Sequence, residues 1–380
     1  MTDALTLTGV LVACLALVTF AAILAATTRP SRAARNRPHR DAFRRDQARP
    51  RPRRLSIVVN PTKVDNLDEV ERRLCAVAGR LDWAEPVFRR TTLEDPGTGQ
   101  ARAALADGVD LVACLGGDGT VRAVAAALAG TDTPLGLLSG GTGNLLARNL
   151  GLGTDDIEAA LRVALTGRNR PVDVGYVRLD PGDEGGEEGD DGRAERATSL
   201  DSAAAREHRD EQDHAFLVMA GLGLDATIMA ETSEAAKARI GPGAYVATGL
   251  RNFLGPRFRA TVAVDGGEPV RTHARTILIG NCGRITGGID LMPDAVVDDG
   301  LLDCVVLAPK GLAGWVLVSA RVITRDRKHR GERIARHTGT RFDITTDQVE
   351  EVQLDGDVIG SARNVVVTIA PRALVVRVAP

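Results

Sequence analysis

Gly116-Gly117-Asp118-Gly119-Thr120 closes a continuous apolar run, Asp110 to Leu115, and opens an alanine-rich helical stretch, Val121 to Leu128. Three glycines in such a turn let backbone N–H groups approach an anion with no Cβ in the way. The helix N-terminus behind them adds partial positive charge and unsatisfied donors. Phosphate is the ligand that suits this arrangement. A second turn, Ser139-Gly140-Gly141-Thr142-Gly143-Asn144, again joins a strand to a helix. Two such turns at neighbouring strand ends form the crevice in which open α/β sheets bind nucleotides. No G-x-x-x-x-G-K-[ST], complete G-x-G-x-x-G, G-x-S-x-G or H-E-x-x-H occurs in the chain. P-loop, hydrolase and zincin readings therefore lack support.

The elements that must carry these turns alternate in type. Leu55 to Asn60 is a short β-rich run, Leu67 to Leu81 has helical spacing, Val87 to Arg90 reads as a strand, and Gly99 to Leu105 as a helix. The apolar run Asp110 to Leu115, the helix from Val121, the strand Leu135 to Leu138 and the helix Leu145 to Leu150 continue the pattern. Such alternation predicts a parallel sheet with helices on both faces, a three-layer α/β nucleotide-binding domain over residues 55–171. Beyond Pro171 the chain changes to short apolar runs separated by Gly and Asp: Val172 to Leu179, Ala215 to Met219, Arg259 to Val264, Arg275 to Ile279, Leu302 to Leu307, Arg341 to Thr345, Val365 to Ile369 and Ala373 to Val378. That spacing predicts a mainly antiparallel β-sandwich over residues 172–380, interrupted by a helix at Ser233 to Phe253. That helix carries an apolar face suited to an acyl chain. Asp180 to Asp213, with thirteen acids and four arginines, reads as a disordered hairpin insertion.

Ala4 to Thr28 contains no charged residue, enough at ~1.5 Å per residue to cross a ~30 Å hydrocarbon layer, so residues 1–28 are expected to be a transmembrane anchor. A cleaved signal peptide would begin with positive charge, whereas here only Asp3 precedes the run and the arginines follow it. Residues 29–54 hold eleven arginines against Asp41 and Asp46, a tether whose charge predicts a single-pass cell-membrane protein with its folded domains in the cytoplasm.

Composition sets the outer bounds. A chain of 380 residues, 44% hydrophobic and 26% charged, exceeds one small core and is not wholly disordered. With 48 basic against 50 acidic residues the net charge is −2, and 3% aromatic content offers few platforms for stacking bases, so no nucleic-acid partner is expected. The five cysteines contain no C-x-x-C pair, which suggests neither a disulfide framework nor a thiolate metal site. Oligomeric state is left open, a homodimer included.

The two glycine turns, together with Asn60-Pro61, Thr91-Thr92, Ala220-Gly221-Leu222-Gly223-Leu224-Asp225-Ala226, Pro293-Asp294-Ala295, Asp298-Asp299-Gly300-Leu301-Leu302-Asp303 and Leu354-Asp355-Gly356-Asp357, resemble the diacylglycerol kinase catalytic family. That group includes sphingosine kinases and, more distantly, NAD kinases. The resemblance runs from about Leu55 to the C-terminus and implies an ATP-dependent lipid kinase using magnesium. Its substrate would be diacylglycerol or a related membrane lipid. It implies ATP contacts from Asn60, Thr92 or Thr91, Gly116, Gly117, Asp118, Gly119, Thr120, Gly141, Thr142 and Asn144. It implies magnesium held by the Asp299 carboxylate and the carbonyls of Val296 and Leu301, hard oxygen donors that suit the ion. Asp118 would organise the magnesium's water shell or the loop itself. The general base would be Asp357, where the family usually has glutamate, or else Asp355. Ser139 also departs from the family, which commonly has proline there. An NAD kinase-like enzyme and a membrane-tethered nucleotide sensor without activity are the other two readings of the same motifs.

Overall fold

The computed structural model describes residues 51–141, 143–153, 156–180, 213–223, 257–285, 290–308 and 334–380. Strands β1 (Leu55–Val59), β2 (Val87–Arg90), β3 (Leu111–Gly116) and β4 (Leu135–Ser139) pair in parallel in the spatial order β2-β1-β3-β4. Helices α1 (Leu67–Arg80), α2 (Thr98–Ala106), α3 (Asp118–Leu128), α4 (Leu145–Asn149) and α5 (Ile157–Thr166) fill the connections. Because successive strand residues point to opposite faces, one apolar run feeds two cores. Ile57, Ala113 and Leu115 pack with Leu74 and Val77 of α1 and Leu161 and Leu165 of α5. Val58, Val112 and Cys114 pack with Ala104 of α2 and Val124 and Leu128 of α3. Each fully buried leucine contributes about 1.5–3 kcal/mol, so this layering fixes the strand ends from which both glycine turns emerge. Helix α5 carries no expectation from the sequence. Its N-cap Asp156 accepts from the N–H groups of Glu158 and Ala159, the capping that starts it.

The β-rich half comprises β5 (Arg168–Asp180), β6 (Asp213–Phe216), β7 (Met219–Leu222), β8 (Phe258–Val264), β9 (Val270–Ala274), β10 (Thr276–Gly280), β11 (Leu302–Leu307), β12 (Ile334–Gly339), β13 (Arg341–Leu354) and β14 (Asp357–Val378). All described strands join one hydrogen-bonded sheet of 14 strands, folded so that two of its layers enclose a core. Leu222, Ile279 and Val306 of β7, β10 and β11 share that core with Phe258 of β8, Phe342 of β13 and Val367 of β14. The fold is thus an α/β domain joined to a mainly β C-terminal domain. The boundary expected at 171 falls inside β5, a single strand, because β5 pairs along its length with β14. The end of β14 returns to the first domain, where Val376 lies beside Leu135 of β4 in parallel. The expected runs Val365 to Ile369 and Ala373 to Val378 are therefore parts of one long strand.

The hairpin flanking the acidic insertion is present: β5 and β6 pair antiparallel, and Arg178 grips Asp213 through two hydrogen bonds of 2.8 and 3.1 Å. Residues 181–212 lie outside the described residues, as does the helix expected at 233–253. The expectation of a membrane-spanning helix and of single-pass cell-membrane localisation is corrected. Among the described residues no helix is long and apolar enough to cross a membrane. The run at 4–28 on which that expectation rested, and the tether as far as residue 50, lie outside the described residues.

Candidate functional site

The two glycine turns pack backbone on backbone. The Gly140 N–H donates to the Gly116 carbonyl at 3.2 Å, and a Cβ on Gly141 would sit 2.9 Å from Gly117 Cα. Such closeness admits only glycine. A Cβ on Gly116 would strike the Thr120 side chain at 2.7 Å, and Thr120 is itself buried. Gly117 differs, since nothing lies within 4 Å of a Cβ built there. It is the N-cap of α3, and among the described residues no side chain caps that helix, which leaves its first-turn N–H groups to be satisfied from outside the helix. An uncapped eleven-residue helix behind an unobstructed glycine fits a phosphate group.

Neighbouring side chains hold the turns in shape. Asn60, at the end of β1, donates from Nδ2 to Thr120 Oγ1 at 3.3 Å, while its Oδ1 accepts from Thr62 N. Asn144 is buried in the left-handed region (φ 46°) and staples the second turn by donating to the Gly141 carbonyl at 2.6 Å. Asp118 Oδ1 accepts from Leu145 N at 2.6 Å, and its Oδ2 lies against Gly143, where a Cβ would come within 2.2 Å. Burial pushes the Asp118 carboxyl above the ordinary aspartate range; Asp355 and Asp357 push the same way, opposed by the Leu145 and Asn144 N–H groups. The Ser139 hydroxyl is buried and has no partner among the described residues, beside a small cavity lined by Gly116, Asp118 and Asn144. Thr91 is buried and Thr92 exposed on the neighbouring loop. That loop meets α3 through Gly97, whose Cβ would lie 3.4 Å from the Thr120 carbonyl.

The β-rich half reaches this place through the tip of the β13–β14 hairpin. Leu354 pairs with Asp357, leaving Asp355 (φ 51°) and Gly356 (φ 99°) as a two-residue turn with both φ positive, which an Asp-Gly pair allows. Asp355 is 7% exposed, and its carboxylate accepts from the backbone N–H groups of Leu217, Val218 and Met219 at 2.9–3.0 Å. Leu217 and Val218 thus leave strand pairing, and the expected run Ala215 to Met219 appears as the end of β6 and the start of β7 with these two residues between them. Burial pushes the Asp355 carboxyl up, against the three N–H groups and the Arg122 guanidinium. Asp357 points the other way. Its side chain is 55% exposed, and its Oδ2 lies where a Cβ on Gly119 would come within 2.8 Å. Arg122, on α3, donates from Nη2 to Asp357 Oδ2 at 2.9 Å and from Nη1 to the Leu354 carbonyl.

The Asp298–Leu301 loop is held by other partners. Gly300 N donates to Asp173 Oδ2 of β5 at 2.7 Å and Arg170 of β5 pairs with Asp298 at 2.9 Å, while Asp173 Oδ1 accepts from Arg372 N, at a bulge in β14, at 2.6 Å. Burial raises the Asp173 carboxyl, with Asp299 and Asp298 adding to the effect and the Gly300 and Arg372 N–H groups opposing it. Asp299, Val296 and Leu301 are exposed, and Asp299 Oδ1 accepts from Leu301 N at 3.0 Å. Among the described residues no group of three or more His, Cys, Asp or Glu could hold a metal ion. The hard-oxygen character of one carboxylate and two carbonyls nevertheless fits magnesium, which keeps several waters.

Of the residues singled out in the sequence, the structure brings together Asn60, Gly116, Gly117, Asp118, Gly119, Thr120, Gly141, Asn144, Asp355 and Asp357, with Thr92 on an adjoining loop. The trio Asp299, Val296 and Leu301 forms a separate loop, and Thr142 lies outside the described residues. Arg122 and Asp173 went unremarked in the sequence. An arginine on a helix and an aspartate in an apolar strand (V-D-V) carry no spacing signal, although a charge inside such a strand is itself an anomaly.

Residues 54–177 match the diacylglycerol kinase catalytic domain model, and residues 218–378 match the YegS C-terminal NAD kinase beta sandwich-like domain. A probable lipid kinase, YegS-like, from Cronobacter sakazakii is 29% identical over 331 residues, 85% of this chain and 95% of that protein. The protein of the same description from Pseudomonas aeruginosa is 33% identical over 252 residues, 63% of this chain and 68% of that one. The crystal structure of a diacylglycerol kinase from Bacillus anthracis superposes with a TM-score of 0.60 at 19% identity, covering 87% of this chain and 98% of its own. At that identity the likeness speaks to the fold.

Proposed function

The chain belongs to the diacylglycerol kinase catalytic-domain family and is a lipid kinase; on that premise we propose that ATP is the phosphoryl donor and that the acceptor is the hydroxyl of diacylglycerol or of a related membrane lipid. The observation that carries this reading is the meeting of Asp357 with Gly119 at the uncapped start of α3. A phosphate held by first-turn amides and a carboxylate able to accept a proton would then stand side by side.

In this mechanism the lipid oxygen bonds to the terminal phosphorus as the bond from phosphorus to the bridging oxygen breaks. The hydroxyl proton passes to Asp357, and ADP leaves. Phosphoryl transfer asks for positioning and charge neutralisation more than covalent help. Donors at Gly117, Gly119 and Thr120 supply part of this, with Asn60 and Thr92 as side-chain contacts and Thr142 and Asn144 from the second turn. Asp357 is favoured over Asp355 as the base because the Asp355 carboxylate is buried and occupied by three N–H groups. Asp118 serves the loop itself through Leu145 N. Magnesium, held at Asp299 with the carbonyls of Val296 and Leu301, would supply positive charge against the acidic residues and the triphosphate.

The test is transfer of label from [γ-³²P]ATP to diacylglycerol in mixed micelles, with NAD offered separately. Organic-soluble label from diacylglycerol is the expected result. Label in the aqueous dinucleotide alone would replace the lipid acceptor with NAD, and nucleotide binding without any transfer would favour a sensor.

A further inference from the structure

Arg122 lies one turn beyond Asp118 in the first half of α3. Its side chain is only 18% exposed, so its head is not simply solvated. Both ends of its fork are committed across the molecule to residues more than 230 positions away: Nη2 to Asp357 Oδ2 and Nη1 to the Leu354 carbonyl. These two acceptors belong to the pair that closes the β13–β14 hairpin. A planar guanidinium reaching two oxygens fixes distance and orientation together, which an ammonium cannot do.

The tip of that hairpin has two anchors. Asp355 ties it to residues 217–219 of its own β-rich half, and Arg122 ties it to α3 of the α/β domain. Only the second anchor touches Asp357. Without it, the carboxylate beside the two-residue turn has its side chain more than half exposed and no other side-chain hydrogen bond among the described residues.

We infer that Arg122 is a positioning residue. By gripping Leu354 O and Asp357 Oδ2 it holds the base of the proposed reaction over Gly119, and so sets the distance between phosphate loop and proton acceptor. The inference rests on the proposed function, and its test separates the two. Arg122→Gln, Asp357→Asn and the double variant are assayed with MgATP on diacylglycerol micelles and, in parallel, on a total lipid extract. Wild type failing on the first acceptor defeats diacylglycerol as substrate, while the Arg122 comparison proceeds on the second. The expected result for Arg122→Gln is a fall of at least tenfold in kcat per folded protein, with KM for ATP within twofold. In the Asp357→Asn background the same change should have no further effect.

A kcat within twofold of wild type, or losses that multiply in the double variant, would overturn the inference and leave Asp357 as base untouched. Asp357→Asn as fast as wild type would overturn both. A purely structural arginine would lower Tm and leave kcat per folded molecule unchanged. Should Arg122→Gln fail to fold, Arg122→Lys carries the same test, since lysine keeps the charge and loses the fork. Its kcat should fall severalfold at constant KM, and an unchanged kcat would overturn the inference.

Discussion

The hairpin tip at 355–357 and the loop at 298–301 solve one problem with the same parts. Each turn is acidic, and each is shaped by a buried aspartate whose carboxylate accepts backbone N–H groups: Asp355 from residues 217–219, Asp173 from Gly300 and Arg372. Each then presents a second, exposed carboxylate, Asp357 or Asp299. An arginine pairs with an acid in both, Arg122 with Asp357 and Arg170 with Asp298. The difference lies in what the arginine holds. At the tip it holds the presented carboxylate itself and fastens it to α3 behind the first glycine turn, whereas in the loop it holds the neighbour and leaves Asp299 to solvent. Two similar acidic strings therefore differ in whether the presented carboxylate is held by an arginine or left to solvent, a difference that matches the base and the magnesium site proposed for them.

The comparison breaks most visibly at the building residues. Asp355→Ala orphans three N–H groups at a cost of about 1–3 kcal/mol each if unpaired, so a loss of roughly 3–5 kcal/mol is expected in urea unfolding. A loss under 1 kcal/mol would mean that the tip does not depend on this anchor. Asp357→Asn should do the reverse, cutting lipid phosphorylation by about 10²-fold while the unfolding midpoint stays put. If both substitutions acted on stability alone, the division between building and presented carboxylates would be gone. For the loop, Asp299→Ala should raise the magnesium concentration needed for half-maximal activity by about tenfold, with kcat recovering at saturating metal. An unchanged magnesium requirement would remove the second half of the parallel.

How much of this was legible beforehand follows the range of the interactions. Both glycine turns and the parallel strands between which they lie were readable, because strand, turn and helix are each encoded within a dozen neighbouring residues. The Asp-Gly pair at 355–356 was visible as a string, and the base could not be assigned from it. What separates Asp355 from Asp357 is the arrival of residues 217–219, more than 130 positions away. The same limit hid the return of β14 to β4 and the reach of Arg122 across the cleft. Asp173 and Gly300, far apart in the chain, become partners only once β5 and the 298–301 loop are folded together. Ala215 to Met219 read as one strand because its apolar content is continuous, and nothing in those five residues announces that Asp355 will take their N–H groups.

The smallest expected effect concerns Asp118, which belongs to neither acidic turn and lies between the glycine turns they serve. Burial, then Asp355 and Asp357, raise its folded-state pKa above the ordinary value of 3.8. A carboxyl raised in this way binds its proton more tightly folded than unfolded. Its contribution to stability is therefore full below the unfolded pKa and is lost as pH rises through the folded one. Asp118→Asn keeps an oxygen to accept from Leu145 N and removes the titration. The stability of wild type minus that of the variant should accordingly decline as pH is raised from about 4 towards neutrality, measured by urea unfolding at a series of pH values. Combining the change with Asp357→Asn should make that decline shallower in the Asp118-bearing member of the pair, because one of the three causes of the shift has been removed. A difference that stays flat with pH would mean that Asp118 remains ionised without penalty, and that the cleft is wetter than its packing implies.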